Sequence, residues 1–257
     1  MNDAGRPHDP LAGTFGRVAV APDERRALIR ATFEGVARRY DLMNDLMSLG
    51  IHRGWKDRFV GEADPRPGEI ALDLAGGTGD VAFRLARRGA TVTVVDPSAA
   101  MMEVGRARPG GGSVAWIEAE AESLPITDAS VDLVTIAFGI RNVTRLDAAL
   151  AEIHRVLKPG GRFFCLEFSR ARWWLRPFYE AWSRTAIPVL GTVVSGRTEA
   201  YRYLIESIGR FPDQSGFAAI IARNGFEAVG WSDLSFGIAA IHHGRRPAPP
   251  SLPGELP

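Results

Sequence analysis

Directly after a strand-forming run, Val131 to Ala137, the sequence sets Phe-Gly-Ile and then Arg141 and Asn142. A guanidinium and an amide at the end of a buried strand are either a polar finish to a turn or the donors of a site. Arginine, all donors and no acceptor, is a poor base but a strong stabiliser of a developing oxyanion. Asparagine beside it can orient a second oxygen. The plainer reading pairs Arg141 with Asp147 or a neighbouring carboxylate and makes Asn142 the cap of a helix that starts near Thr144.

A second group of such residues lies in "LDLAGGTGDVAFRLARRGA". Gly76, Gly77 and Gly79 remove side chains where backbone turns sharply or approaches a ligand. Asp96 follows about 17 residues after Gly79, the spacing at which an acid accepts from ribose hydroxyls. Gly77-x-Gly79-x-x-Ala82 also satisfies the dinucleotide fingerprint, and charge separates the two readings. Asp80 would set a carboxylate beside a pyrophosphate on the helix N-terminus. S-adenosylmethionine has no phosphate and carries a sulfonium and an ammonium, which Asp73 and Asp80 suit. Asp80 reads equally well as an ordinary acid in a first helical turn. After the third strand, Glu120 and Ala121 fall where an adenine would lie.

The elements that must hold these residues are legible in the pattern. From Glu69 onward, short β-branched runs alternate with helical stretches: "IALDL", "TVTVVD", "VAWIE", "VDLVTIA", "RFFCLE", "EAVGWSD" and "FGIAAIHH". Strands alternating with helices imply right-handed crossovers and a mostly parallel sheet covered on both faces, a doubly wound α/β fold. The last two runs leave no room for a helix and predict an antiparallel hairpin. Residues 23–66 read as an N-terminal helical extension, with Leu28, Thr32, Val36 and Tyr40 recurring about every fourth residue. Residues 1–22 and a Pro-rich tail, 245–257, read as loose ends around one domain, 23–244.

With 24% charged residues and a net charge of +1, the 257-residue chain gives no argument for nucleic acid. Its single cysteine, Cys165, cannot form an internal disulfide and reads as a core thiol. No apolar run approaches the roughly 20 residues of a spanning helix, and no secretory signal opens the chain. These features suit a cytoplasmic protein.

Two segments, "YDLMNDLMSLGIHRGWKD" and "RVLKPGGRFFCLEFS", resemble the signatures of the ubiquinone/menaquinone biosynthesis C-methyltransferases. "FGIRNVT", "YRYLIESIGRFPDQ" and "GFEAVGWSDLSFGIAAIHHG" extend the likeness from about Phe33 to Gly244. The resemblance implies a class I methyltransferase, with a seven-stranded sheet whose seventh strand is antiparallel and an inserted lid at about 169–212. It implies S-adenosylmethionine as cofactor and the ring carbon of a polyprenyl methoxy-benzoquinol or demethylmenaquinol as acceptor. Cofactor contacts carry over to Thr78, Asp96, Glu120 and Ala121. Glu120 stands where an amide or shorter acid is usual, and Ala137 where some relatives have serine. Tyr40 and His52 fall in the first signature, which implies a place in the quinol pocket, with His52 a proton acceptor at physiological pH. Arg141 then becomes a phenolate partner. A long isoprenoid tail suits a peripheral membrane contact through "SRARWWLRPFYEAWSR", which reads equally as a lid helix. Partner proteins of quinone biosynthesis and a homodimer are compatible with it. Competing readings are a methyltransferase for another phenolic or sterol-like acceptor, and a non-catalytic scaffold.

Overall fold

The computed structural model describes residues 14–15, 18–35, 50–175, 203 and 206–249. Tyr40 and most of the expected lid, 176–202, lie outside the described residues.

Seven strands form one sheet: β3 (Ile70–Leu74), β4 (Thr91–Asp96), β5 (Ala115–Glu118), β6 (Val131–Ala137), β7 (Leu157–Phe168), β8 (Glu227–Leu234) and β9 (Ala239–Arg245). Their order is β5-β4-β3-β6-β7-β9-β8, with β9 antiparallel to both neighbours and the pairs from β5 through β7 parallel. Each corresponds to one of the apolar runs. β3 is buried at four of its five positions because parallel strands are covered on both faces.

Two apolar layers cover the sheet. On one face, α5 (Leu146–Val156) buries Leu146, Ala149, Leu150, Ile153 and Val156, the helical i, i+3, i+4, i+7 stripe. On the other, α2 (Ile51–Ala63) and α3 (Asp80–Ala86) pack Phe59, Val60, Ala63, Val81, Ala82 and Leu85. α4 (Ala99–Arg106) follows β4, and α6 (Gln214–Arg223) precedes β8. Cys165 is fully buried in the first layer.

The ends are tied more firmly than composition suggests. Residues 14–15 and 18–19 form a small hairpin (β1, Thr14–Phe15; β2, Val18–Ala19) before α1 (Pro22–Glu34). At the other end β9 runs to Arg245, and Arg246 exchanges backbone hydrogen bonds with Gly160 and Gly161 at 2.8 and 2.9 Å. Sheet pairing, which composition does not report, holds residues expected in the loose tail.

Candidate active site

The carboxyl ends of β3, β4 and β6 open on one cleft, whose empty space is about 1100 Å³ with its open mouth included. Ligands of open α/β sheets bind at this position. Gly79 has φ +79° and opens α3; a Cβ there would stand 2.8 Å from the Trp116 ring. Just past β3 and β6, Ala75 and Phe138 both hold left-handed backbone, at φ 48° and 57°. Such geometry in residues with a Cβ costs about 1–2 kcal/mol each, and strain of this kind gathers at functional sites.

Five carboxylates line the cleft, and three of them, Asp73, Asp80 and Asp96, stand at the strand ends and the glycine loop. Asp96 accepts from the Gly77 amide through Oδ2 and the Ser98 amide through Oδ1, both at 2.8 Å. Burial pushes its carboxyl up to about 6 against the pull of those amides. A carboxylate has about four lone-pair sites, so two remain for a diol. Asp73 accepts from Thr135 Oγ1 at 2.8 Å and the Ala82 amide at 3.1 Å, and burial raises it to about 7. Asp80 is also partly buried, yet Lys56 and Arg84 hold its carboxyl well below the usual range. Lys56 Nζ lies 2.8 Å from Asp80 Oδ2, and its side chain is only 7% exposed. Lys56 was not among the residues picked out of the sequence.

Gly76, Gly77, Thr78, Glu120 and Ala121 line the same cleft. Thr78 accepts from Arg108 at 3.0 Å, and Glu120 pairs with Arg30 of α1 at 3.3 Å. The donor set fits S-adenosylmethionine: a free-sided acid for a diol, acids for its cations, and one buried ammonium for its carboxylate.

The 3-10 turn Ile140–Asn142 follows β6 at the edge of the cleft, which Gly139 and Asn142 line. Asn142 lines it and accepts from the Tyr203 hydroxyl through Oδ1 at 3.0 Å. It caps no helix: Arg145 stands at the N-cap of α5, and the amides of Thr144 and Arg145, just before the helix, go to Glu122 Oε1 at 2.7 and 3.1 Å. Arg141 is paired with a carboxylate, as the plainer reading has it, but with Glu167 rather than Asp147. Its Nη1 donates to the Phe138 carbonyl at 2.7 Å and to Glu167 Oε1 at 2.6 Å, and both side chains of the pair are under 5% exposed. Its guanidinium lies 5.5 Å from the Phe168 ring centre, behind Phe138 rather than on the cleft wall. A buried carboxylate on the neighbouring strand captures it; Asp147 instead binds Arg223 and Asn224. His52 is buried on α2 and is not among the residues lining the cleft.

The turn is held from outside the sheet. Arg25, on α1 and 2% exposed, donates to the carbonyls of Arg141 (3.1 Å), Asn142 (3.3 Å) and Val143 (2.6 Å). No sequence signal marks it, because its partners are backbone atoms more than a hundred residues away. Lys56 and Glu167 did stand inside quoted signatures, "GWKD" and "FCLEF".

Among solved structures, the chain superposes on the [4+2]-cyclase SpnF (TM-score 0.65, 17% identity, covering 95% of this chain and 100% of that one). It also superposes on an S-adenosylmethionine-dependent methyltransferase from Thermotoga maritima (0.61, 21%, covering 85% and 99%). At these identities the likeness is of fold. Sequence comparison reaches further. The ubiquinone/menaquinone biosynthesis C-methyltransferase of Rubrivivax gelatinosus is 62% identical over 93% of this chain and 95% of its own length. That of Acidiphilium cryptum is 52% identical over 90% and 96%. The model of the ubiE/COQ5 methyltransferase family matches residues 19–246. That span takes in α1 with Arg25, the glycine loop, the Arg141 turn and the β8–β9 hairpin, so the chain belongs to the ubiE/COQ5 methyltransferase family.

Proposed function

We propose that the chain methylates a ring carbon of a prenylated quinol, a benzoquinol of the ubiquinone type or a demethylmenaquinol. Its relatives are named as C-methyltransferases of ubiquinone/menaquinone biosynthesis, and a quinol ring is the acceptor that such a reaction calls for. The observation that carries the methyl-donor half is the pairing, in one cleft, of Asp96 with two free lone-pair sites and of a buried Lys56 among acids. When bound, S-adenosylmethionine supplies an electrophilic methyl group on sulfur. Asp96 holds the ribose hydroxyls, Lys56 the carboxylate, and Asp73 and Asp80 offset the positive charges. Glu120 and Ala121 flank the adenine. A ring carbon becomes nucleophilic when a neighbouring hydroxyl ionises, so the acceptor side must favour a phenolate. Asn142 orients the ring from the cleft wall. Arg141 acts from behind Phe138, where low dielectric strengthens its field.

The isoprenoid tail calls for an apolar exit. Trp173, 85% exposed, and Trp174, whose ring meets Phe236 at 5.2 Å, stand beside exposed Arg170 and Arg172. Aromatic and cationic residues together suit an anionic bilayer surface, which supports a peripheral membrane contact.

The test is methyl transfer by the purified chain, with S-adenosylmethionine and short-tailed benzoquinol or naphthoquinol, read by mass spectrometry. One methyl on a ring carbon is expected. Cofactor binding by calorimetry with neither quinol methylated would sink the acceptor assignment; no cofactor binding would sink both halves.

A further inference from the structure

Among the described residues, four buried side-chain polar atoms have no hydrogen-bond partner: Arg141 Nε, Glu167 Oε2, Ser169 Oγ and His242 Nδ1. Three of them belong to the acceptor side. Native interiors leave few such groups, and each asks for a reason. Glu167 is 1% exposed and Arg141 4%. Glu167 Oε1 is fully engaged, accepting from Arg141 Nη1 at 2.6 Å and from the Phe168 amide at 2.8 Å. Oε2 is left with its lone pairs unspent in an apolar setting, at a desolvation cost of about 1–3 kcal/mol or more. Glu167 is the last residue but one of β7 and Ser169 follows just past the strand's end, and the two-residue spacing sets both on one side. The adjoining wall is aromatic: Phe138 and Phe168 have ring centres 4.7 Å apart, and Trp55 lies 6.4 and 6.2 Å from them. Phe138 also lines the cofactor cleft, its carbonyl accepts from Arg141 and the Phe168 ring lies 5.5 Å from that guanidinium, so this aromatic group runs from the cleft to the ion pair.

We propose that Glu167 is the proton acceptor of the reaction: an acceptor ring lying against Phe138 and Phe168 donates its hydroxyl to Glu167 Oε2, while Arg141 aims the carboxylate. This rests on the methyltransferase reading above. Glu167 takes the hydroxyl proton and leaves the electron pair on the ring. The ring carbon then forms a bond to the methyl as the bond from methyl to sulfur breaks, with that electron pair staying on sulfur. Loss of the proton from the methylated carbon to water restores aromaticity, and Glu167 returns its own proton to the oxygen. One proton is released per methyl transferred, and the sulfonium is the only other reactant. Burial raises the Glu167 carboxyl and Arg141 opposes the rise, leaving a base stronger than a solvated carboxylate yet held by a cation. Arginine does not take the proton, since a guanidinium offers donors and no acceptor.

The test is Glu167→Gln in the full chain, assayed with two acceptors: a short-tailed prenyl naphthoquinol, and a polyfluorinated counterpart whose hydroxyl is already ionised at the assay pH. We expect kcat on the first to fall by about a hundredfold or more, in the range of general-base losses. On the fluorinated acceptor it should stay within tenfold of wild type, and cofactor affinity by calorimetry should change less than threefold. A variant within threefold of wild type on the ordinary quinol overturns the proposal. So does an equal loss on both acceptors, the signature of a purely structural ion pair. Should Glu167→Gln fail to fold, Glu167→Asp decides by the same comparison: a loss confined to the ordinary quinol is expected, and equal losses overturn. Wild-type protein that binds cofactor and methylates neither acceptor would strike the underlying function instead.

Discussion

At the scale of single residues, the cleft is an arrangement of charges whose protonation depends on its contents. Asp73, raised to about 7 by burial, is half protonated near neutrality without a ligand. A bound cation favours its ionised form, so binding below pH 7 expels a proton and binding well above pH 7 expels none. Cofactor affinity should therefore rise with pH up to about 7 and then level off. Calorimetry at pH 6 in two buffers of different ionisation heat should report proton release, and Asp73→Asn should reduce it. Lys56→Met should weaken cofactor binding by about tenfold or more through loss of a charge-assisted contact, leaving Asp80 paired with Arg84. Unchanged affinity would remove Lys56 from the binding set. Residues marked by a fixed motif spacing were legible beforehand: the glycines open the helix they precede, and Asp96, 19 residues after its partner Gly77, ends the next strand. Lys56 and Glu167 were not, since their partners Asp80 and Arg141 come from other elements and only folding brings them together.

At the scale of elements, the apolar runs mapped onto strands because parallel strands buried on both faces leave an uninterrupted signal. The hairpin of β8 and β9 followed from the lack of room for a helix between them. What periodicity could not convey is how elements grip one another. Gly139, on the β6 loop, approaches the β3 loop so closely that a Cβ would stand 2.5 Å from Ala75 Cβ. Gly139→Ala should cost about 1–3 kcal/mol of stability by overpacking and also weaken cofactor binding, as denaturant melts and calorimetry would show. Arg25→Met removes a cation that serves the carbonyls of Arg141, Asn142 and Val143. It should lower kcat at least tenfold with cofactor affinity changed less than threefold, because Arg25 braces the acceptor wall while α1 meets the cofactor cleft through other residues, Arg26, Ile29 and Arg30.

At the scale of the whole molecule, stability and surface make separate predictions. His242 is buried at Phe217, its Nε2 3.0 Å from the Gln214 carbonyl, and burial lowers its pKa to about 4. Between about pH 6.5 and 4 the unfolded chain binds the proton and the native one does not, so stability falls as the pH drops through that window. The loss is on the order of 3 kcal/mol, and His242→Gln should flatten that part of the pH profile. Trp173→Ala with Phe236→Ala should reduce co-sedimentation with anionic vesicles severalfold while kcat on a short-tailed quinol holds; equal vesicle binding would remove that patch as a membrane contact. Composition announced neither feature, since exposure and burial of single rings depend on tertiary packing. The grip of Arg25 on the turn at Arg141 has a bearing on how the molecule comes to be active. Its hydrogen bonds close a loop of 116 to 118 residues, a span whose ordering entropy is met only after intervening strands have paired. On synthesis or refolding, the strands and the glycine loop can therefore assemble first, and competence to act on a ring arrives with the late docking of α1 onto the turn at the chain's middle.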